Sequence, residues 1–226
     1  TTAGAGWHEY LSDGDGTFTL KGSVTPYTGW HSATPGDFNG DGLDDFMINT
    51  ITSGAGWHVY LRKPNSALPI DSINNITNAL GVKTTFNYQP LTDNSVYTKG
   101  TGASYPDVDV QYSQYVVSSK TVSNGIGGVF TSSYSYKGLK AHSKGLGSLG
   151  FSEMTTRNDD TGIETTSYFS QDYANRTQGM LNRLKTVADN GTVLSDTENV
   201  WSTIAVGSGS DTRYRGQLLS TEVTKR

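Results

Sequence analysis

The chain has 226 residues, enough for one or two domains with a sizeable core. Its net charge is −4 and no Lys/Arg run exceeds two residues, so the basic footprint of a nucleic-acid binder is missing. It has no cysteine, which excludes a disulfide framework, thiol chemistry and Cys-type zinc sites; no apolar run approaches the roughly 18–20 residues of a membrane-spanning helix. Charged residues are only 17%, while Gly (27), Tyr (13), Ser, Thr and Asn are abundant. Turn-formers with Thr and Tyr predict an all-β protein with many short strands.

An internal repeat opens the chain. Gly4-Ala5-Gly6-Trp7-His8-Glu9-Tyr10-Leu11 returns as Gly54-Ala55-Gly56-Trp57-His58-Val59-Tyr60-Leu61, with seven of eight residues identical at an offset of 50. A third Gly-Trp-His stands at Gly29, Trp30 and His31. A period of roughly 40–50 residues with short alternating strands is that of a β-propeller blade. Strands are expected at 7–11, 17–20 and 45–49, with a hairpin turn over 12–16. The repeat stops after Leu61, and Pro64 and Pro69 read as a linker. The expected division is a blade segment over 1–63 and a strand-rich segment over 64–226. A propeller needs at least four blades to close. The chain therefore reads as a piece of a longer one, carrying the end of a propeller.

Ile70, Ile73, Ile76 and Leu80 fit one face of a short helix, but β-branched content and the pair Asn74-Asn75 favour a hairpin running into 82–88. Residues 90–109 lack periodicity and read as a long loop. Period-two alternation marks strands at 114–122, 129–136, 149–156, 164–169, 181–187, 193–206 and 217–223. Asn124-Gly125, Asp160-Thr161-Gly162 and Asn190-Gly191 supply the turns of a large antiparallel meander.

The run 37–45 carries chemistry in its spacing. Oxygen donors fall at alternate positions: Asp37, Asn39, Asp41, the Leu43 carbonyl and Asp45, with Gly42 sixth, where the chain must turn. Such a loop wraps hard oxygen ligands around one calcium ion. Position twelve is Ile48 where an EF-hand has Glu, and a strand follows instead of a helix, so Asp45 must close the shell. The alternative is a plain acidic turn. Clustered carboxylates repel each other without a cation, which favours Ca2+.

Other candidates carry less. Gly145-Leu146-Gly147-Ser148-Leu149-Gly150 has glycine spacing of the dinucleotide type, but a strand-like run follows where a helix must start. His8 and His58 occupy equivalent repeat positions and do not converge; His142 is alone in the sequence. No nucleophile elbow or carboxylate pair stands out, so a non-enzymatic protein is expected.

The calcium-type loop with its Gly-Trp-His strands resembles the FG-GAP/VCBS repeat of calcium-binding propellers. The runs 73–81 and 84–88, then 96–100 through 115–117, 145–151 and 165–172, resemble the segment after the propeller in the B component of insecticidal toxin complexes. Plasmid virulence B proteins and Rhs-family toxins share that segment. The resemblance implies a terminal blade followed by the start of a Rhs-like β-shell, in a secreted bacterial toxin. It implies a propeller that docks to a translocation (A-type) component and a shell that encloses a toxic domain. The expected partners are other segments of the same toxin chain and that component. The competing expectation is a calcium-dependent adhesin or lectin, with Trp7, Trp30 and Trp57 stacking on a glycan.

Overall fold

A computed structural model describes residues 7–12, 17–24, 30–40, 44–50, 56–61, 72–208 and 212–225. Among them every regular element is a β-strand. Most of the expected turn at 12–16, the linker prolines Pro64 and Pro69, and the ligand candidates Asp41 and Leu43 lie outside the described residues. The chain divides into two compact units, Thr1–Pro64 and Asn65–Arg226.

Among the described residues the first unit holds five strands. β1 (Trp7–Ser12) and β2 (Phe18–Val24) form an antiparallel hairpin. β3 (Trp30–Gly36), β4 (Asp45–Thr50) and β5 (Trp57–Tyr60) form an antiparallel sheet in chain order. The Trp-His-x-Tyr part of both repeat copies is thus strand, in β1 and β5. Ile48 of β4 is buried, and Phe46 faces Tyr60 across the β4–β5 pair.

The second unit is built on a ten-stranded sheet. Its strands are β6 (Asn75–Thr77), β7 (Lys83–Pro90), β8 (Tyr97–Thr98), β10 (Tyr115–Ser123), β11 (Val129–Lys137), β14 (Glu153–Asn158), β15 (Glu164–Phe169), β16 (Leu181–Val187), β17 (Val193–Val206) and β18 (Arg213–Lys225). The order across the sheet is β18-β17-β16-β15-β14-β11-β10-β7-β6, with β8 paired to β11. A smaller sheet joins β9 (Asp107–Asp109), β12 (Lys140–His142) and β13 (Gly147–Gly150) in the order β13-β12-β9. The main sheet is interrupted twice: β8 and β9 intervene between β7 and β10, and β12 and β13 between β11 and β14. The two excursions meet where β9 pairs with β12.

The connections β6–β7, β10–β11, β14–β15 and β16–β17 share one device. Each contains an asparagine whose Oδ1 accepts backbone N–H bonds from residues ahead: Asn78 from Leu80 and Val82, Asn124 from Ile126 and Gly128, Asn158 from Asp160 and Thr161, Asn190 from Thr192. Such side-chain turns fold locally, without help from distant contacts. Gly162 closes one of them at φ 69°, with the Asp189 side chain against the place a Cβ would take. No other residue type fits there at low cost.

Three sequence expectations need correction. Residues 90–109 contain β8 and β9, and they supply Leu91, Val96 and Tyr97, three of the four buried residues of the core cluster; Leu139 is the fourth. The expected single strand over 149–156 breaks at Phe151 and Ser152 into β13 and β14. The meander is not wholly antiparallel, because β8 runs parallel to β11. In each case long-range pairing decides the structure, and periodicity does not report it.

Tyr97 is the centre of the core, with 1% of its surface exposed. Its hydroxyl donates to Val110 O at 2.6 Å and accepts from Leu139 N–H at 3.1 Å. Its ring meets Phe151 edge-on at 6.1 Å, and Phe151 lies 5.0 Å from Tyr136. The Tyr136 hydroxyl continues to Val117 O at 2.9 Å.

Elsewhere polar pairs cross the ladders. Arg157 of β14 reaches Glu164 at 2.9 Å and Asp189 at 2.8 Å. Arg183 of β16 grips Asp196 of β17 with two nitrogens, at 2.8 and 2.5 Å. Thr155 bonds Thr166 at 2.9 Å, and Thr165 bonds Thr186 at 3.2 Å.

Two predictions follow from this framework. Tyr97→Phe keeps the ring but strands one buried carbonyl and one buried N–H, so it should lower unfolding free energy by roughly 1–3 kcal/mol in urea titration; Tyr97→Ala, which also opens a cavity, should cost about 3–5 kcal/mol. Unchanged stability in Tyr97→Phe would show that the hydroxyl is dispensable. The second concerns pH. The Arg183 guanidinium holds the Asp196 carboxyl below its ordinary 3.8, and the Asn175 backbone N–H and side-chain amide do the same for Asp172. A depressed folded value means stabilisation that is complete above the ordinary carboxylate value and lost as pH falls through the folded one. The thermal midpoint should therefore fall with acidification below about pH 4, and Asp196→Asn should flatten part of that slope.

Candidate functional site

β3 and β4 are paired so that Gly36 stands opposite Asp45. The connection 37–44 therefore leaves and re-enters the sheet at adjacent points. The loop turns on itself through its own carboxylates. Asp37 Oδ1 accepts the Gly40 N–H at 2.6 Å, with Gly40 at φ 77°. Asp45 Oδ2 accepts the Phe38 N–H at 3.0 Å. Asp45 is fully buried at the first position of β4, Asp37 is half-buried, and Asn39 and Asp44 are exposed. A buried carboxylate is tolerated only with hydrogen bonds or a cation to balance it.

Asp37, Asn39 and Asp45 carry oxygens of the kind that a hard cation such as calcium takes. Among the described residues no three His, Cys, Asp or Glu side chains make a group that could hold a metal. The five-donor set needs Asp41 and the Leu43 carbonyl as well, and both lie outside the described residues.

The remaining sequence candidates are placed as follows. His8 lies in β1 and His58 in β5, where it faces Ile48 of β4. Trp57, also on β5, is 59% exposed. The glycine-spaced run 145–150 ends in β13, paired to β12, and bends into β14 with no helix after it. His142 is not alone in space. It stands opposite Asp107 across the β12–β9 pair, two residues along the face from Asp109. Its Nδ1 accepts the Lys144 N–H at 3.3 Å, and its ring meets Tyr173 edge-on at 4.2 Å. His142 Nε2, Asp107 Oδ1 and Asp109 Oδ1 are buried without a hydrogen-bond partner. The alternation Asp107-Val108-Asp109 was the one signal for this grouping, hidden inside the stretch read as loop.

The faces of the main sheet have no sharp inside and outside. Every residue of β10 and of β15 is half-buried, and every described residue of β18 is exposed. A strand packed on one side alone would alternate buried with exposed. β10 and β15 instead keep partial cover on both faces, whereas β14 alternates half-buried with exposed.

Residues 25–182 match the family model of the insecticide toxin TcdB middle/N-terminal region. No curated protein matches the chain. Four chains of solved structures match. One belongs to the crystal structure of TcdB2-TccC3-TEV: the likeness has a TM-score of 0.65 at 11% sequence identity and covers 97% of this chain and 14% of that one. At that identity the likeness shows the fold, and the present chain spans a small part of the solved chain's length.

Proposed function

Because the chain belongs to the insecticide toxin TcdB middle/N-terminal region family, and is thereby a structural segment of a toxin-complex B-like protein, we propose that its sheet forms part of the wall of a shell around a toxic domain. The observation that carries this reading is the ten-stranded sheet, whose strands β10 and β15 keep partial cover along their whole length. Such a sheet has one face to turn toward a cargo and one toward solvent. The role is architectural and non-enzymatic, in a protein secreted by a bacterium. Its partners are the remaining segments of the toxin chain and a translocation component.

The test uses the full-length toxin protein with its cargo domain. Thr197→Pro removes an N–H from β17, which is paired on both sides, by β16 and β18. Limited proteolysis should spare the cargo in the parent protein and cleave it in the variant. Equal cleavage in both would contradict the wall.

Calcium belongs to the same reading. Asp37, Asn39, Asp41 and Asp45 would hold it with side-chain oxygens and Leu43 with its carbonyl. The ion would cancel the clustered charge and fix the β3–β4 connection. Binding to the folded state alone stabilises it by about 2.7 kcal/mol at a hundredfold excess over the dissociation constant. The thermal midpoint should rise with calcium and fall with chelator in the parent chain, and respond to neither in Asp41→Ala. Four equal midpoints would reduce the loop to a turn.

A further inference from the structure

The pairing of β16 with β17 ends at Arg183 and Glu198, whereas β17 runs on to Val206 beside β18. The segment 170–180, which joins β15 to β16, is fastened along this overrun. Thr203 Oγ1 donates to Asn175 O at 3.2 Å, and the Arg176 guanidinium lies 3.5 Å over the Tyr214 ring. Arg176 takes a left-handed φ of 55°, uncommon for a residue with a side chain. Beside this fastened segment lies a cleft of about 680 Å3.

The cleft is polar and its groups are held in place. Asp172, Asn175, Asn182, Glu198, Asn199 and Trp201 line it. Trp201 Nε1 and Asn199 Nδ2 both donate to Leu181 O, at 2.8 and 3.0 Å, so ring and amide are oriented before any ligand arrives. Asp172 is oriented by Asn175, whose N–H and Nδ2 reach it at 3.0 and 2.6 Å. Arg183, the one cation of the lining, is engaged by Asp196. An anionic ligand would meet Asp172 and Glu198 with no free positive charge. An apolar ligand would find only Val200 and Trp201.

The geometry points to a neutral oligosaccharide as the ligand of this cleft. A pyranose offers an apolar C–H face to an indole and hydroxyl groups to amides and carboxylates. The site is in the second unit and involves none of the calcium-loop residues. It goes beyond the wall reading and does not depend on it.

The experiment is calorimetric titration of the whole 226-residue chain with lactose, cellobiose and N,N′-diacetylchitobiose as neutral probes and a heparin disaccharide as the anionic one. Saturable binding of at least one neutral probe, and none of the anionic one, is expected. Trp201→Ala should weaken it by about tenfold or more, a loss of about 1.4 kcal/mol. Asn182 is exposed, so Asn182→Ala should weaken binding without disturbing the fold; it decides the matter if Trp201→Ala unfolds. No saturation by any neutral probe, preference for the anionic one, or parent-like binding in Asn182→Ala would overturn the assignment.

Discussion

The hydroxyl of Tyr97 both donates and accepts within the buried core, and the second unit is organised around it. Val110 precedes β10 and Leu139 leads into β12, so one oxygen joins the ends of the two excursions. The bond to Leu139 N–H links residues 42 positions apart. The ring carries the connection through Phe151 and Tyr136 to Val117 on β10. Each link is modest, but in a buried setting a missing partner costs more than the bond contributes. The small sheet β13-β12-β9 therefore holds its place on the strength of a few oriented groups more than on a large apolar volume.

That economy suits the family. Buried hydrophobic residues among those described are few: Ile48, Leu91, Val96, Tyr97, Leu139 and Leu149. None lies on β14 to β18, where ladder hydrogen bonds, threonine pairs and arginine grips replace a deep core. The surface grips are individually weak in water. Their value lies in number and in position along consecutive ladders.

Much of this was legible in the sequence, for reasons that can be named. β15, β16 and β17 begin and end at the residues where alternation begins and ends. Their turns announce themselves because an asparagine side chain and a glycine fold them locally. Family resemblance was carried by motifs spread across both halves, and the match over 25–182 agrees. What escaped was whatever depends on distant partners. Residues 90–109 hide the core because β8 and β9 are too short to show a period. The grouping of His142 with Asp107 and Asp109 exists only once two excursions pair. For the loop at 37–45, spacing put oxygen-bearing residues at alternate positions, while the burial of Asp45 came from its place at the neck of β3 and β4.

The partial cover on both faces of β10 and β15 bears on how the chain finds its own pairing. In a sheet with one greasy face, a slip of one residue turns that face to water and is rejected at once. Here both faces of β10 and β15 resemble each other, so hydrophobicity alone is a poor judge of alignment. Charge supplies the missing judgement. A one-residue slip of β14 against β15 would set Arg157 opposite Thr165 or Ile163 in place of Glu164. The same slip between β16 and β17 would send Arg183 to the face away from Asp196. The arginines thus act as addresses, checked one strand after another as the sheet is laid down.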